Sequence, residues 1–361
     1  MTRRDRTLVP LLTALLAGVL ALAPGATATA SPTPGAQLAL ARSPYAPLDR
    51  PGPELHVPHR ALVRALSCHG RPHHGPEPVL LNPATGVTPK QNYSWNYERA
   101  FTAQHRYWCA VTMPQHTLED IQRSGEFLVF AIRWMHHHTA RRIAVLGHSQ
   151  GGMSMRWALR FWPDTRRMVT DVIGMAGSNH GTTALLCGEP VQPACPPADW
   201  QQRAGAHFIQ ALNSRAETFR GISYTEIYTH TDEVVRPNSS PANSSSSLHT
   251  GRGRITNVAT QQVCPTDVYE HLTVGTVDPV TYALVMDALT HRGPAKPARV
   301  PRTVCARLYQ PGVDPTNAQT YLQSLAAVPG LLTVSTPLDL VGAPEVRAEP
   351  RLRCYVFRHG C

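Results

Sequence analysis

RRIAVLGHSQGGMSMRWALRFWP, residues 141–163, passes from an apolar run (Ile143 to Leu146) through Gly147-His148-Ser149-Gln150-Gly151 into a helical pattern that Pro163 stops. The pentapeptide fits G-x-S-x-G, which says little by itself in a chain with 25 glycines. Its setting between a strand and a helix makes it informative. A sharp strand-to-helix turn would strain the backbone of Ser149 and leave room only for glycine two positions to either side. Such a turn lifts the hydroxyl clear of the sheet and sets it at a helix N-terminus, where negative charge is stabilised. Ser149 is therefore the candidate nucleophile, in preference to a glycine-rich structural turn.

A serine hydroxyl needs a base to take its proton and a carboxylate to orient that base. On this architecture the order along the chain is Ser, acid, His. Asp232 follows the strand-like YTEIYT, and His271 lies in a later loop before the apolar helix DPVTYALVMDALTH. The rival acids are Asp267, four residues before His271 and suited to a turn, and Asp171, inside a strand run. The rival bases are His249, in a polar loop, and His291, at a helix end. The developing oxyanion needs preorganised N–H donors. One is expected from Gln150, the residue after the nucleophile, and another from Thr85 in the loop after PVLLN, which is otherwise an ordinary turn.

Around these positions strand-like runs alternate with amphipathic helices, which predicts an α/β fold with a mostly parallel central sheet covered by helices on both faces. The pattern places a helix over residues 117–138, capped by Thr117 with Asp120, and a single helix along ADWQQRAGAHFIQAL. Residues 1–30 are laid out as a secretory signal peptide cut near Ala30, with a basic start, an apolar run and small residues. Residues 31–77 form an irregular lead-in, 78–292 the catalytic core and 293–361 a C-terminal extension pinned by disulfides. Within the core, the Pro-rich segment 183–199 is a lid or a rim. Beyond the leader no segment reaches about 18 uninterrupted apolar residues, so no stable membrane span is expected.

The chain has 361 residues and a net charge of +10, carried almost wholly by Arg. No basic stretch is interleaved with stacking aromatics, so nucleic acid is not an expected partner. The eight cysteines, an even number behind an export signal, point to disulfides in an oxidising compartment. None has zinc-finger spacing, and His136-His137-His138 suits a helix C-terminus better than a metal site. Asn92-Tyr93-Ser94, Asn238-Ser239-Ser240 and Asn243-Ser244-Ser245 match the glycosylation sequon, but the Arg-heavy composition suggests a bacterium that would leave them bare.

With these residues placed, the chain resembles the Candida antarctica lipase B-like family of the α/β-hydrolase superfamily. The resemblance rests on PVLLNPATG, SQGGMSMRWALRFWP, WQQRAGAHFIQAL, YTHTDEVVRP and VCPTDVYEHLTVGT, in the same order and at similar spacing. It implies a secreted, monomeric carboxylic ester hydrolase (a lipase or lipase-like esterase) that meets ester or lipid substrates at a lipid–water interface and needs no cofactor or metal. Ser149, Asp232 and His271 would be catalytic, Thr85 and Gln150 the oxyanion donors, and His148, Val234 and Leu272 would shape the pocket. The family's cysteines imply Cys68–Cys109, Cys264–Cys305 and Cys354–Cys361. Cys187 and Cys195 are left over to form a local bridge, which favours a rigid rim over a mobile lid. Two positions depart from the family pattern: Ala84 stands where the family has glycine, and Ser178 where it has an acidic residue beside the pocket. A peptidase or acyltransferase on the same fold, or a non-catalytic binding member of it, are the alternatives.

Overall fold

Buried parallel strands are apolar along their whole length, because helices cover both of their faces. All four residues of Val79–Asn82 and all six of Ile143–His148 are buried in the computed structural model of the protein. The structure describes residues 43–185, 187–188, 190–326 and 344–361. The signal peptide read in residues 1–30 lies outside the described residues, as does the start of the lead-in. The strands are β1 Leu66–His69, β2 Val79–Asn82, β3 Trp108–Val111, β4 Ile143–His148, β5 Val169–Met175, β6 Ser223–Tyr228, β7 Asn238–Ser240, β8 Asn243–Ser244 and β9 Arg254–Ala259. Seven of them form one sheet in the order β1-β3-β2-β4-β5-β6-β9, while β7 and β8 make a separate small hairpin. Every pairing in the large sheet is parallel except β1 with β3 at its edge.

Side chains alternate between two cores with the period of two that strands impose. Leu80, Val145 and Val172 pack on one side with Leu128, Ile132, Met155 and Leu159, from the helices α1 Ile121–Thr139 and α2 Gln150–Phe161. Leu81, Leu146, Ile173 and Ile227 pack on the other with Leu284, Val285 and Ala288 of α3 Pro279–Thr290. After β2 the chain moves outward to β3, then returns to β4 on the other side of β2. The loops after β2 and β4 are therefore neighbours at the strands' C-terminal ends, the topological switch point where α/β sheets bind ligands.

Three local expectations change. Helix α1 starts at Ile121 with Asp120 as its N-cap, accepting from Gln122 N. Thr117 has a positive φ of 69° and spends its hydroxyl on Ala84 O instead (2.9 Å). The long helix expected along 198–212 is two short ones, Pro197–Gln201 and His207–Leu212. Gly205 between them has φ +81°, and the break lets Thr182 N bond Gln202 O (2.7 Å) and Ala204 N bond Thr182 O (2.9 Å). Part of the stretch read as irregular lead-in is regular: a helix at His59–Arg64 leads into β1. Cys68 of β1 lies directly opposite Cys109 of β3 and is bonded to it.

The other disulfides are Cys187–Cys195, Cys264–Cys305 and Cys354–Cys361. Residues 344–361 return over the domain: Tyr355 accepts from Trp157 Nε1 (2.9 Å), Arg353 pairs with Glu126 (2.9 Å), and Val346 exchanges backbone hydrogen bonds with Cys195. Among the described residues no helix is long and apolar enough to cross a membrane. Cys264–Cys305 closes a sequence separation of 41 residues around the loop that carries His271. Loop-closure entropy then predicts that Cys264→Ser with Cys305→Ser lowers the unfolding free energy by about 4 kcal/mol, as read by denaturant titration. A loss below about 1 kcal/mol would mean that packing, not the bridge, holds this loop.

Candidate active site

Ser149 follows β4 directly as the N-cap of α2, with φ 54° and ψ −125°. The glycines around it have no alternative. A Cβ on Gly147 would sit 2.2 Å from Gly151 O, and one on Gly151 would sit 2.2 Å from Asn82 O. The close approach of β2 to the turn is tied down by Asn82, whose Nδ2 donates to Gly151 O (2.8 Å) and Ser154 Oγ (2.9 Å). The strained turn is thus over-determined by its surroundings, as strained residues must be to persist.

His271 begins a four-residue helix, His271–Val274, capped by Glu270, whose carboxylate accepts from Leu272 N (2.7 Å) and Thr273 N (3.1 Å). Its Nε2 lies 2.9 Å from Ser149 Oγ and its Nδ1 2.9 Å from Asp232 Oδ2. The other oxygen of Asp232 accepts from Val234 N (2.9 Å) and Val235 N (2.7 Å), in the turn just after β6. All three side chains are buried, His271 to 1% exposure. Burial by itself would lower the His271 pKa. The Asp232 charge and hydrogen bond outweigh it, helped by Glu233 and Glu270, and the net shift is upward.

The rival residues are engaged elsewhere. Asp267 accepts from Tyr269 N, His291 pairs with Asp287, and His249 N donates to Glu217. Asp171 pairs across β5 with Ala144 and Ser223, and burial raises its carboxyl to about 7. His148 is 1% exposed and stands behind His271 rather than on a face open to substrate. Its Nε2 is 2.9 Å from His271 O and its Nδ1 3.3 Å from Asn92 Nδ2. Burial, then the positive charge of His271, hold its pKa down at about 3, so it is a neutral donor to the His271 carbonyl. Leu272 is buried with Ala84, Val87, Trp95 and Val277, and Val234 is half-buried with its carbonyl accepting from Thr182 Oγ1 (2.6 Å).

Thr85 is half-buried in the loop after β2 and donates its hydroxyl to Gln150 Oε1 (2.8 Å). Gln150 Nε2 donates to Thr117 O (3.0 Å), and Ala84 N donates to Asn92 Oδ1 (2.9 Å). Gln150 N, at the first turn of α2, is one of the N–H groups that a helix leaves without an intrahelical acceptor. Gln202 Nε2 donates to Thr85 Oγ1 (3.1 Å), so Asn92, Thr117 and Gln202 brace this loop, and no local motif in the sequence marks them for it. Asn92 is 1% exposed, so its sequon is closed to a glycan in the fold. Among the described residues no group of three or more His, Cys, Asp or Glu is arranged to hold a metal ion.

A serine elbow at the switch point of a parallel sheet defines an α/β-hydrolase. Residues 88–276 match the family model described as Lipase (class 2). The chain is 30% identical over 310 residues to lipase B of Pseudozyma antarctica, covering 84% of this chain and 86% of that protein. The crystal structure of Aspergillus fumigatus lipase B is similar with a TM-score of 0.76 at 28% identity, over 85% of this chain and 74% of that one. The chain belongs to the class 2 lipase family, whose members are carboxylic ester hydrolases.

Because His148 is neutral and His271 titrates high, nitrogen-15 histidine spectra of the protein separate them. From about pH 5 to pH 9 the signal assigned to His148 by substitution stays unprotonated, while that of His271 gains its proton above the ordinary histidine value of about 6.5. A His148 midpoint near 6.5 would contradict the arrangement described.

Proposed function

We propose that the protein hydrolyses carboxylic esters through an acyl-enzyme at Ser149, as a lipase or lipase-like esterase. The observation that carries this reading is the position of His271, 2.9 Å from Ser149 Oγ on one side and 2.9 Å from Asp232 on the other. His271 Nε2 takes the Ser149 proton as Oγ attacks the ester carbonyl. Asp232 holds the tautomer with a proton on Nδ1 and stabilises the imidazolium that forms. The N–H groups of Thr85 and Gln150, with the Thr85 hydroxyl, stabilise the oxyanion. The imidazolium then returns its proton to the leaving alcohol, and water attacks the acyl-enzyme by the same steps. His148 supports the His271 backbone, and Val234 and Leu272 border the site from the Asp232 and His271 loops.

Export to an oxidising compartment is part of this reading, supported by four disulfides that use all eight cysteines. The segment 183–199 acts as a rim, supported by its own Cys187–Cys195 bridge and by the Cys195–Val346 backbone pairing. An ester presented at a lipid–water interface is the substrate class.

Hydrolysis of p-nitrophenyl esters from acetate to palmitate tests the nucleophile. Ser149→Ala is expected to lose at least about 10⁴-fold in kcat while remaining folded, and the chain-length profile of the wild type sorts esterase from lipase. A folded wild type inactive on every ester, yet cleaving amides, would move the reading to a peptidase. The acid limb tests the base: His271 must be neutral to act, so kcat/KM falls as pH drops through its raised pKa, above about 6.5. Asp232→Asn removes the charge that raises it and lowers kcat by roughly 10⁴-fold. An unchanged limb and rate in that variant would exclude Asp232 as the partner acid.

A further inference from the structure

Gln202 touches both residues proposed to hold the oxyanion, and the direction of its amide follows from the hydrogen bonds around it. Thr117 O can only accept, so Gln150 must present Nε2 to it (3.0 Å) and turn Oε1 the other way. Gln150 Oε1 can only accept in turn, so Gln202 must offer it Nε2 (3.2 Å). The second hydrogen of that same nitrogen reaches Thr85 Oγ1 (3.1 Å). Gln202 Oε1 is thereby left facing Ser178, whose hydroxyl donates to it (2.9 Å). Gln202 is 4% exposed, Gln150 2% and Ser178 0%, so water has little part in this network. The backbone of Gln202 is fixed as well, because it terminates the helix Pro197–Gln201 and its carbonyl accepts from Thr182 N (2.7 Å).

The network solves a problem at the Thr85 hydroxyl. At rest that proton is committed to Gln150 Oε1 (2.8 Å). To serve the oxyanion it must rotate, which would leave Gln150 Oε1 buried and unpaired at a cost of about 1–3 kcal/mol. Gln202 Nε2 removes that cost, since it stays bonded to Gln150 Oε1 after the rotation. It also keeps donating to Thr85 Oγ1, which polarises the O–H toward the substrate oxygen. Ser178 holds the amide this way round with a neutral hydroxyl, in place of the acidic residue the family pattern has there.

We propose that Gln202 is a positioning residue for the oxyanion site, acting on the Thr85 hydroxyl by keeping Gln150 Oε1 paired when that hydroxyl turns, and itself positioned by Ser178. This rests on the reading of Thr85 as an oxyanion donor, and no covalent step passes through Gln202. The role is exerted in the transition state, so removing it lowers kcat with little change in KM.

The test is a double-mutant cycle on a p-nitrophenyl ester: wild type, Gln202→Leu, Thr85→Val and the double variant, each checked for a cooperative melt. Thr85→Val is expected to lose about 100-fold in kcat, and Gln202→Leu about 10-fold with KM within about twofold. The double variant is expected to be no slower than Thr85→Val by more than about threefold, because the hydroxyl whose rotation Gln202 serves is then gone. Losses that multiply, or a Gln202→Leu effect confined to KM, would overturn the proposal while leaving Thr85 in place. An unchanged kcat in Thr85→Val would instead remove the oxyanion reading beneath it. If Gln202→Leu does not fold, Ser178→Ala replaces it in the cycle, with a loss of a few-fold that likewise disappears beside Thr85→Val. A Ser178→Ala loss that persists there overturns the proposal.

Discussion

The packing of β2 against the turn that follows β4 governs the rest of the site. At the Ser149 elbow the Asn82 carbonyl of β2 lies so close to Gly151 that a single methyl group there would collide with it at 2.2 Å, and within the turn one on Gly147 would meet Gly151 O at the same distance. Because packed interiors do not yield by that much, the elbow can exist only as built. Two consequences follow from one contact. The Ser149 hydroxyl is held at the C-terminal edge of the sheet in a conformation that a free chain would leave. The loop after β2, which carries Thr85, is brought alongside the first turn of α2. The Ser149 turn and the Thr85 loop are therefore aligned by the same strand pairing, β2 with β4, and not by side chains alone.

Burial disfavours the charged form of an imidazole, and the surroundings of His271 offset that electrostatically. Asp232 lies against Nδ1, Glu270 caps the short helix that starts at His271, and Glu233 accepts from His271 N (3.3 Å). His148 stands on the same side but is uncharged, so it supports the His271 backbone without adding repulsion to the imidazolium. Two histidines whose rings are 5.3 Å apart thus have opposite pKa shifts. The difference comes from the carboxylates, which surround one ring and leave the other to desolvation.

The loops that deliver these groups are long and would lose much entropy on closing, and covalent and terminal contacts share that cost. Cys264–Cys305 anchors the His271 loop to the segment after α3. The return of residues 344–361 ties Cys195 and Trp200 to the helices under the elbow, through Val346, Arg353 and Tyr355.

The sequence by itself determined what depends on neighbours along the chain. Strand and helix periodicity, the glycines around Ser149, and the order of Ser149, Asp232 and His271 are all local patterns, and periodicity also places the two faces of the sheet. Only the tertiary structure decided which polar side chains meet. Thr117 reads as a helix cap but gives its hydroxyl to Ala84 O, so α1 begins at Asp120. A helix that reads as continuous through Gln202 is broken before Gly205, and Thr182 takes up the Gln202 carbonyl there. No local pattern gives His148, Asn92 or Gln202 its partner, and the contacts of His148 with His271 and of Gln202 with Thr85 join residues more than a hundred positions apart. The physical reason is that a hydrogen bond is fixed by geometry within about 3 Å, whereas a sequence pattern records only which face of an element is apolar.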